Sequence, residues 1–396
     1  MTKELSVRLN GIEVGTLSLI NGKMEFLYND NAKYPISLSL PLSKEPYKEK
    51  ACRAYFGGLL PENANMRDLL AKKYKIGINN DFKLLEAIGR DCAGAVSFRH
   101  KDEPERAEDF IKITGKILSD KELKKLIEEL PYKPYMGNRI SLAGAQEKTA
   151  VCVIDGKIAM PDTDIPTTHI IKTALPKFFQ TIHNEYICMK TAKKIGIDVP
   201  NVEIRNADGL EFLLIERFDR QIKNGKIKRI LQEDFAQSLG VQSRDKYDAV
   251  TFKDCLWVLN QTTTPAKTKS EFVKRVIFNY LTGNTDAHSK NFSISFYDGK
   301  NIELTPAYDL LCSSVYDCDQ RIAMKIGKAK FYKDVTEKDW ELFAQDTDVS
   351  KKFVKAELER QKGLIITSIK EVLKENECEI GNKILDYVQN NLQSNY

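Results

Sequence analysis

Long apolar runs are missing from this 396-residue chain. No stretch approaches the roughly 18 apolar residues of a membrane-spanning helix, so no membrane partner is expected. No apolar leader follows Met1-Thr2-Lys3-Glu4, and a cytoplasmic protein without a secretory signal is the expectation. Paired cysteines are also missing. The eight cysteines, at 52, 92, 152, 188, 255, 312, 318 and 378, include no Cys-x-x-Cys. They are expected to be reduced, mostly buried thiols, not a zinc site or a disulfide framework. Histidine is scarce, and its four copies lack metal-ligand spacing. Charge of one sign is lacking too, since 61 basic and 56 acidic residues leave only +5. That balance does not argue for nucleic-acid binding by the chain itself.

What is present fits a soluble globular protein of two or three domains, with 42% hydrophobic and 30% charged residues. Residues 4–28 alternate around Asn10-Gly11 and Asn21-Gly22, which predicts a three-stranded meander. Residues 35–42 read as another extended piece. Short helices are expected at 66–74 and 81–88. The charged, proline-containing stretch 101–106 marks a boundary. Beyond it come a helix over 119–130, a hairpin around Asp155-Gly156, a strand at 168–172 and a helix over 181–195. A further hairpin turns at Asp208-Gly209. Past residue 220 the composition predicts helices, apart from a hairpin at 292–304 around Asp298-Gly299. The expected division is 1–105, a β-rich subdomain with short helices; 106–220, a small sheet lobe; and 221–396, a mostly helical lobe. The class is α+β.

The stretch Gly283-Asn284-Thr285-Asp286-Ala287-His288-Ser289-Lys290-Asn291 carries the chemistry. An aspartate precedes an asparagine by five positions, a hairpin follows, and then comes Tyr308-Asp309-Leu310. Phosphoryl transfer needs that set: one carboxylate to orient a hydroxyl, and an Asn and a second Asp to hold magnesium on ATP. Asp and Asn also cap ordinary turns, so the case depends on the remaining parts. Lys172, on a strand, is placed to pair the α- and β-phosphates, with Glu185 as its ion-pair partner. The small-residue loop 141–148 is a candidate phosphate cradle, though Gly144 is its only glycine. Glu216-Arg217-Phe218, at a strand end, falls where a hinge would offer backbone groups to adenine. Asp286 is the candidate base, His288 a candidate donor to phosphate, and Asn291 and Asp309 the candidate magnesium ligands. This order of strand lysine, helix glutamate, hairpin and helical lobe is that of a two-lobed kinase. Asp309 is followed by Leu310-Leu311, not Phe-Gly, so a flipping activation segment is not expected.

The motifs resemble those of the HipA family of bacterial serine/threonine kinases, toxins of toxin–antitoxin modules. The likeness runs through Ser37-Leu38-Ser39-Leu40-Pro41-Leu42, Phe56-Gly57-Gly58-Leu59-Leu60-Pro61-Glu62 and Asp91-Cys92-Ala93-Gly94-Ala95-Val96. It continues in Ser141-Leu142-Ala143-Gly144-Ala145-Gln146-Glu147-Lys148, Asn184-Glu185-Tyr186, Glu216-Arg217-Phe218-Asp219-Arg220 and Gln232-Glu233-Asp234-Phe235. Thr285 to Asn291 and Pro306-Ala307-Tyr308-Asp309 complete it. The resemblance implies a kinase-like fold with an extra N-terminal subdomain. It implies ATP and Mg2+ as cofactors and a nucleotide site formed by Ala143, Gly144, Ala145, Gln146, Glu147, Lys148, Lys172, Glu216, Arg217, Phe218, His288, Ser289, Lys290, Asn291, Tyr308 and Asp309. Asp286 and His288 are the implied catalytic pair, and Asn291 and Asp309 the metal ligands. Ser141 is the implied site of inactivating autophosphorylation, where a dianionic phosphate would repel the nucleotide. Implied partners are a small helix-turn-helix antitoxin of the HipB kind, operator DNA mainly through that antitoxin, and a protein substrate such as an aminoacyl-tRNA synthetase. Two other readings stand beside this one: a kinase of the same fold without toxin action, and a degenerate binding protein.

Overall fold

The computed structural model describes residues 3–104, 110–130, 148–247 and 249–394. Two compact units divide the chain. The first takes in residues 1–173, 205–243 and 295–301, and the second residues 174–204, 244–294 and 302–396.

In the first unit, β1 (Lys3–Leu9), β2 (Ile12–Ile20) and β3 (Lys23–Tyr28) form the expected meander. With β4 (Val96–Arg99) they build a sheet of order β3-β2-β1-β4. Both Asn-Gly turns have positive φ at each position, as a tight hairpin requires. The helix Glu49–Gly58 buries Tyr55 and Phe56, and Phe56 stacks edge-on against Phe26 and Phe98 of the sheet. Burying rings of this size contributes about 1.5–3 kcal/mol each. Helices Ala64–Tyr74 and Asp81–Ile88 start at Asn63 and Asn80, whose side chains accept from backbone amides of the first turn.

Residues 35–42 depart from the extended expectation. Ser37 and Leu40 form an isolated bridge, and the Ser37 hydroxyl accepts from the Ser39 amide at 3.1 Å. A serine-capped turn therefore overrides the alternating pattern. The Leu38 amide donates to Glu233 Oε1 at 2.9 Å. Burial pushes the Glu233 carboxyl up to about 7 from its ordinary 4.5. The folded state thus binds this proton more tightly than the unfolded chain, and stability falls as pH rises from about 4.5 through 7. Glu233→Gln keeps an acceptor for Leu38 and removes the charge. It is expected to raise the thermal midpoint at pH 8 by about 2–4 °C and to leave it unchanged at pH 4.5, measured by scanning calorimetry at both values.

After the short strand β5 (Ile111–Lys112), a six-stranded sheet comprises β6 (Gly115–Ile117), β7 (Lys148–Ile154), β8 (Lys157–Pro161), β9 (His169–Lys172), β10 (Val202–Ala207) and β11 (Leu210–Glu216), in the order β10-β11-β9-β7-β8-β6. Helix Asp120–Glu129, started by a Ser119/Glu122 capping box, covers it through Leu123, Leu126 and Ile127. These pack on Val151, Ile171, Phe212 and Leu214.

Past residue 220 the chain does not turn helical at once. Strands β12 (Arg220–Lys223) and β13 (Lys226–Arg229) pair antiparallel, and β5 adds to β13. Their turn is Asn224-Gly225, with φ of 52° and 69°, the same hairpin chemistry that marks the meander. Only Ile222 and Ile227 are apolar in this hairpin, so its alternation is hidden among charges.

The second unit is mainly helical. Helix Lys351–Glu375 buries Val354, Leu358, Ile365, Ile369 and Val372. It packs against helices Thr181–Lys194, Pro265–Thr282, Glu337–Asp346 and Glu379–Ser394. Edge-on rings of Phe252, Phe343, Trp340, Tyr280 and Tyr332 run through this core. The hairpin Ser293–Tyr297 and Asn301–Leu304, whose residues 295–301 count with the first unit, turns at Asp298-Gly299 as expected. Among the described residues, no helix is long and apolar enough to cross a membrane. All eight cysteines are free thiols, and only Cys318 is not buried.

Candidate functional site

Helix Pro265–Thr282 delivers the Asp286 loop. Proline at its first turn suits a position with no amide partner, and Gly283 closes it at φ 72°. A Cβ at Gly283 would stand 2.5 Å from the Tyr387 ring, so this cap has room only for glycine. The next residues are held from several sides. The Tyr332 hydroxyl donates to the Asn284 carbonyl at 2.7 Å. The Thr285 amide donates to Ser313 Oγ at 2.7 Å, and the Ala323 amide to the Thr285 carbonyl at 2.9 Å.

Asp286 emerges exposed from this buried frame. Its carbonyl accepts from the His288 amide at 2.8 Å and from Asn291 Nδ2 at 3.2 Å. That second bond occupies the nitrogen end of the Asn291 amide and leaves its oxygen directed elsewhere. A 3-10 turn, Ser289–Asn291, follows. His288, Ser289 and Lys290 are buried, and Asn291 is half-buried.

Asp309 sits beside the same loop. Asn284 Nδ2 donates to the Asp309 carbonyl at 3.2 Å and to Asn279 Oδ1 at 3.0 Å. Tyr308 donates its hydroxyl to the Lys290 carbonyl at 2.7 Å. Asp309 itself lies at φ 52°, a left-handed conformation that aspartate tolerates better than most residues but that still costs free energy. Downstream, Asn184 grips the Cys312 backbone with both ends of its amide, at 2.9 and 2.7 Å. Within the second unit the structure therefore brings Asp286, His288, Asn291, Tyr308 and Asp309 into one hydrogen-bonded assembly. Glu185, next to Asn184, is buried.

Sequence reasoning missed Tyr247 here. Its hydroxyl donates to Asp286 Oδ1 at 3.0 Å, and its ring meets His288 edge-on, with centroids 5.2 Å apart. The contact spans 39 positions, and a tyrosine in a polar stretch has no spacing signal that could have found it.

In the first unit, Lys172 is buried on β9, between β7 and β11. Lys148 is its direct partner across the β7–β9 ladder. Ser141, Ala143, Gly144, Ala145, Gln146 and Glu147 lie outside the described residues.

Glu216 pairs with His169 at the end of β11. Arg217 has other commitments. Its amide donates to the Thr168 carbonyl at 2.9 Å. Its guanidinium donates to both oxygens of Asp219, at 2.9 and 2.7 Å, to Thr167 Oγ1 and to the Cys92 carbonyl. Arg220 and Arg229 stand opposite each other across β12 and β13. Asp91 lies between them, 2.8 and 3.5 Å from their guanidinium nitrogens. Burial alone would raise the Asp91 carboxyl, but Arg220, Arg217 and Arg229 hold it well below the usual carboxylate range. Burial and the neighbouring Arg217 pull Arg220 down to about 10. Gly94, at φ 78° with the Gln232 backbone 3.0 Å from any added Cβ, lets its amide reach Asp219 at 2.6 Å.

The donor set fits magnesium. No group of three or more His, Cys, Asp or Glu side chains gathers among the described residues. Magnesium on nucleotides typically takes only one or two carboxylates and draws its other ligands from phosphate and water. Asp309 and the Asn291 oxygen are hard donors of that kind.

Comparison with known proteins agrees with the geometry. The HipA N-terminal domain model matches residues 5–99, and the HipA-like C-terminal domain model matches residues 140–369. Putative kinase Y4mE of Sinorhizobium fredii is 38% identical over 345 residues, covering 83% of this chain and 82% of that protein. The serine/threonine-protein kinase toxin HipA of Shewanella oneidensis is 30% identical over 360 residues, covering 82% and 79%. A solved complex of Shewanella oneidensis HipA, HipB and operator DNA matches with a TM-score of 0.85 at 26% identity, covering 98% of this chain and 96% of that one. With its matched domains, its α+β kinase-like fold and its Asp286–Asp309 assembly, this chain belongs to the HipA family and is a protein kinase.

Proposed function

We propose that the chain is an ATP- and Mg2+-dependent serine/threonine kinase that arrests growth as the toxin of a toxin–antitoxin pair. The observation that carries the reading is Asn284, whose side chain ties the Asp286 loop to Asp309 at 3.2 Å. One side chain thereby sets the spacing between the group that handles the acceptor hydroxyl and the group that handles the nucleotide.

In this reading Asp286 orients the substrate hydroxyl and takes its proton as that oxygen bonds to the γ-phosphorus, while the bond from the γ-phosphorus to the bridging oxygen breaks and ADP leaves. His288 donates to a phosphate oxygen, and Ser289, Lys290 and Tyr308 shape the wall around the nucleotide. Asn291 and Asp309 hold magnesium, which supplies charge neutralisation on the phosphate oxygens. Lys148 and Lys172, with Ala143, Gly144, Ala145, Gln146 and Glu147, are the proposed phosphate-binding residues of the first part of the chain. Glu216 and Phe218 offer adenine their backbone groups. Arg217 belongs to the same proposed adenine-binding stretch. Ser141 is the proposed self-modification site. We also retain the sequence division at 105 and 220 as subdomain limits.

The Shewanella toxin is named as a serine/threonine kinase, and its solved complex contains HipB and operator DNA. By extension we infer a HipB-like helix-turn-helix antitoxin for this chain, operator binding through it, a cytoplasmic setting and a translation component as substrate. A second reading has an observation of its own. The relative with the higher identity of the two is named a putative kinase. Induced expression in a bacterium separates the readings. Wild type is expected to halt colony growth, and Asp309→Ala is expected to permit it. Normal growth under wild-type expression, with kinase activity confirmed in the lysate, would favour the kinase without toxin action.

A further inference from the structure

We infer that Tyr247 is a positioning residue for phosphoryl transfer, fixing one oxygen of the Asp286 carboxylate so that the other faces the acceptor hydroxyl. The inference rests on the kinase reading above and adds to it a residue that no motif supplied.

Asp286 stands exposed at the tip of its loop. An aspartate side chain has two free torsions, and in water such a carboxylate turns among several orientations. A general base must instead present one oxygen within hydrogen-bond reach of the proton it removes. Here the Tyr247 hydroxyl donates to Oδ1 at 3.0 Å. A bond to an ionised acceptor is stronger than one between neutral groups, and it selects one carboxylate orientation.

The tyrosine is itself held. Its ring lies edge-on to His288, with an interplanar angle of 78°, and His288 is buried. The preceding residue is tied down as well, because Ser289 Oγ donates to the Lys246 carbonyl at 3.4 Å and Ser289 is fully buried. The Lys246 ammonium lies 5.1 Å from the Tyr247 ring centroid. Two residues just past Asp286, His288 and Ser289, thus anchor the segment that orients it. Tyr247 nevertheless remains 46% exposed. A tyrosine retained only for packing would bury its ring and needs no carboxylate partner.

Positioning and nucleotide binding are separable in kinetics. Loss of orientation lowers the rate of the chemical step, whereas loss of a nucleotide contact raises KM. The test uses the full chain with γ-labelled Mg-ATP, following initial label transfer into the protein itself and into proteins of a bacterial extract. Four proteins are compared: wild type, Tyr247→Phe, Tyr247→Ala and Asp286→Ala. Tyr247→Phe is expected to lower kcat about 10- to 100-fold, the scale of a small misplacement at a reacting group. KM for ATP should stay within about twofold, and the thermal midpoint should not move. Tyr247→Ala, which also strips the ring from His288, should fall at least as far.

Wild-type kcat in Tyr247→Phe, with Asp286→Ala inactive, would overturn the inference and leave the kinase reading standing. A Tyr247→Phe defect confined to KM or to thermal stability would overturn it too, since the hydroxyl would then be a nucleotide contact or a structural bond. Equal transfer by Asp286→Ala and wild type would remove the kinase assignment of Asp286, and this inference with it.

Discussion

Asp286→Ala is expected to lower phosphoryl transfer by about 10²- to 10⁴-fold, the usual scale of a positioned general base, while ATP affinity changes little. The separation follows from where the residue sits. Asp286 is exposed at the loop tip, and its neighbours are held by bonds that do not pass through its side chain. Tyr332 holds Asn284, Ser313 holds Thr285, and the 3-10 turn draws on the Asp286 carbonyl instead of the carboxylate. Removing the carboxylate therefore leaves the loop in place. Single-turnover transfer with labelled Mg-ATP, beside direct nucleotide titration, measures both quantities. A variant that loses ATP binding and transfer together would move Asp286 from chemistry to nucleotide contact.

Asp91→Ala should act on stability, at a cost of about 3–5 kcal/mol. Arg217, Arg220 and Arg229 are all buried near this carboxylate. Removing it leaves Asp219 as the carboxylate paired with Arg217 and Arg220, and stripping a partner from buried charges costs that much. The register sharpens the effect, because Arg220 and Arg229 face each other directly across the hairpin. The sign with pH is fixed by the direction of the shift. Asp91 is held below the usual carboxylate range, so its contribution is complete at neutral pH and is lost only as pH falls into strong acid. A thermal midpoint lowered by on the order of 10 °C at pH 7 is expected. An unchanged midpoint would show that the arginines are satisfied without Asp91.

The network also explains why the segment after β11 has this sequence. Glu216-Arg217-Phe218-Asp219-Arg220 reads, from composition, as a charged surface turn or a hinge. In the structure its two arginines and Asp219 are buried. They bind the turn at 91–94 to the hairpin at 220–229. Hydropathy gives no warning of a buried charge, because one of the partners that make burial tolerable, Asp91, lies more than a hundred positions away.

Other parts were legible because their causes are local. Asn10-Gly11, Asn21-Gly22, Asp155-Gly156, Asp208-Gly209 and Asp298-Gly299 each adopt positive φ at both positions, and each joins two strands where the alternation predicted a hairpin. Asn224-Gly225 follows the same rule but was obscured by its lysine- and arginine-rich flanks. The run 35–42 shows the opposite failure, where alternation suggested a strand and serine hydroxyls made a turn. In the site, Asp286, Asn291 and Asp309 were visible as a spaced motif. Tyr247 and Asn284 acquire their roles from hydrogen bonds that only the folded chain creates.

The central claim is that Asp286 and Asp309 belong to a live phosphoryl-transfer site. Intact mass and phosphopeptide mapping after incubation with Mg-ATP, with Asp286→Ala alongside, address it most directly. The account predicts one added phosphate on Ser141 of the wild type and none on the variant. Equal phosphate on both proteins, or no transfer by wild type to itself or to extract proteins, would contradict it.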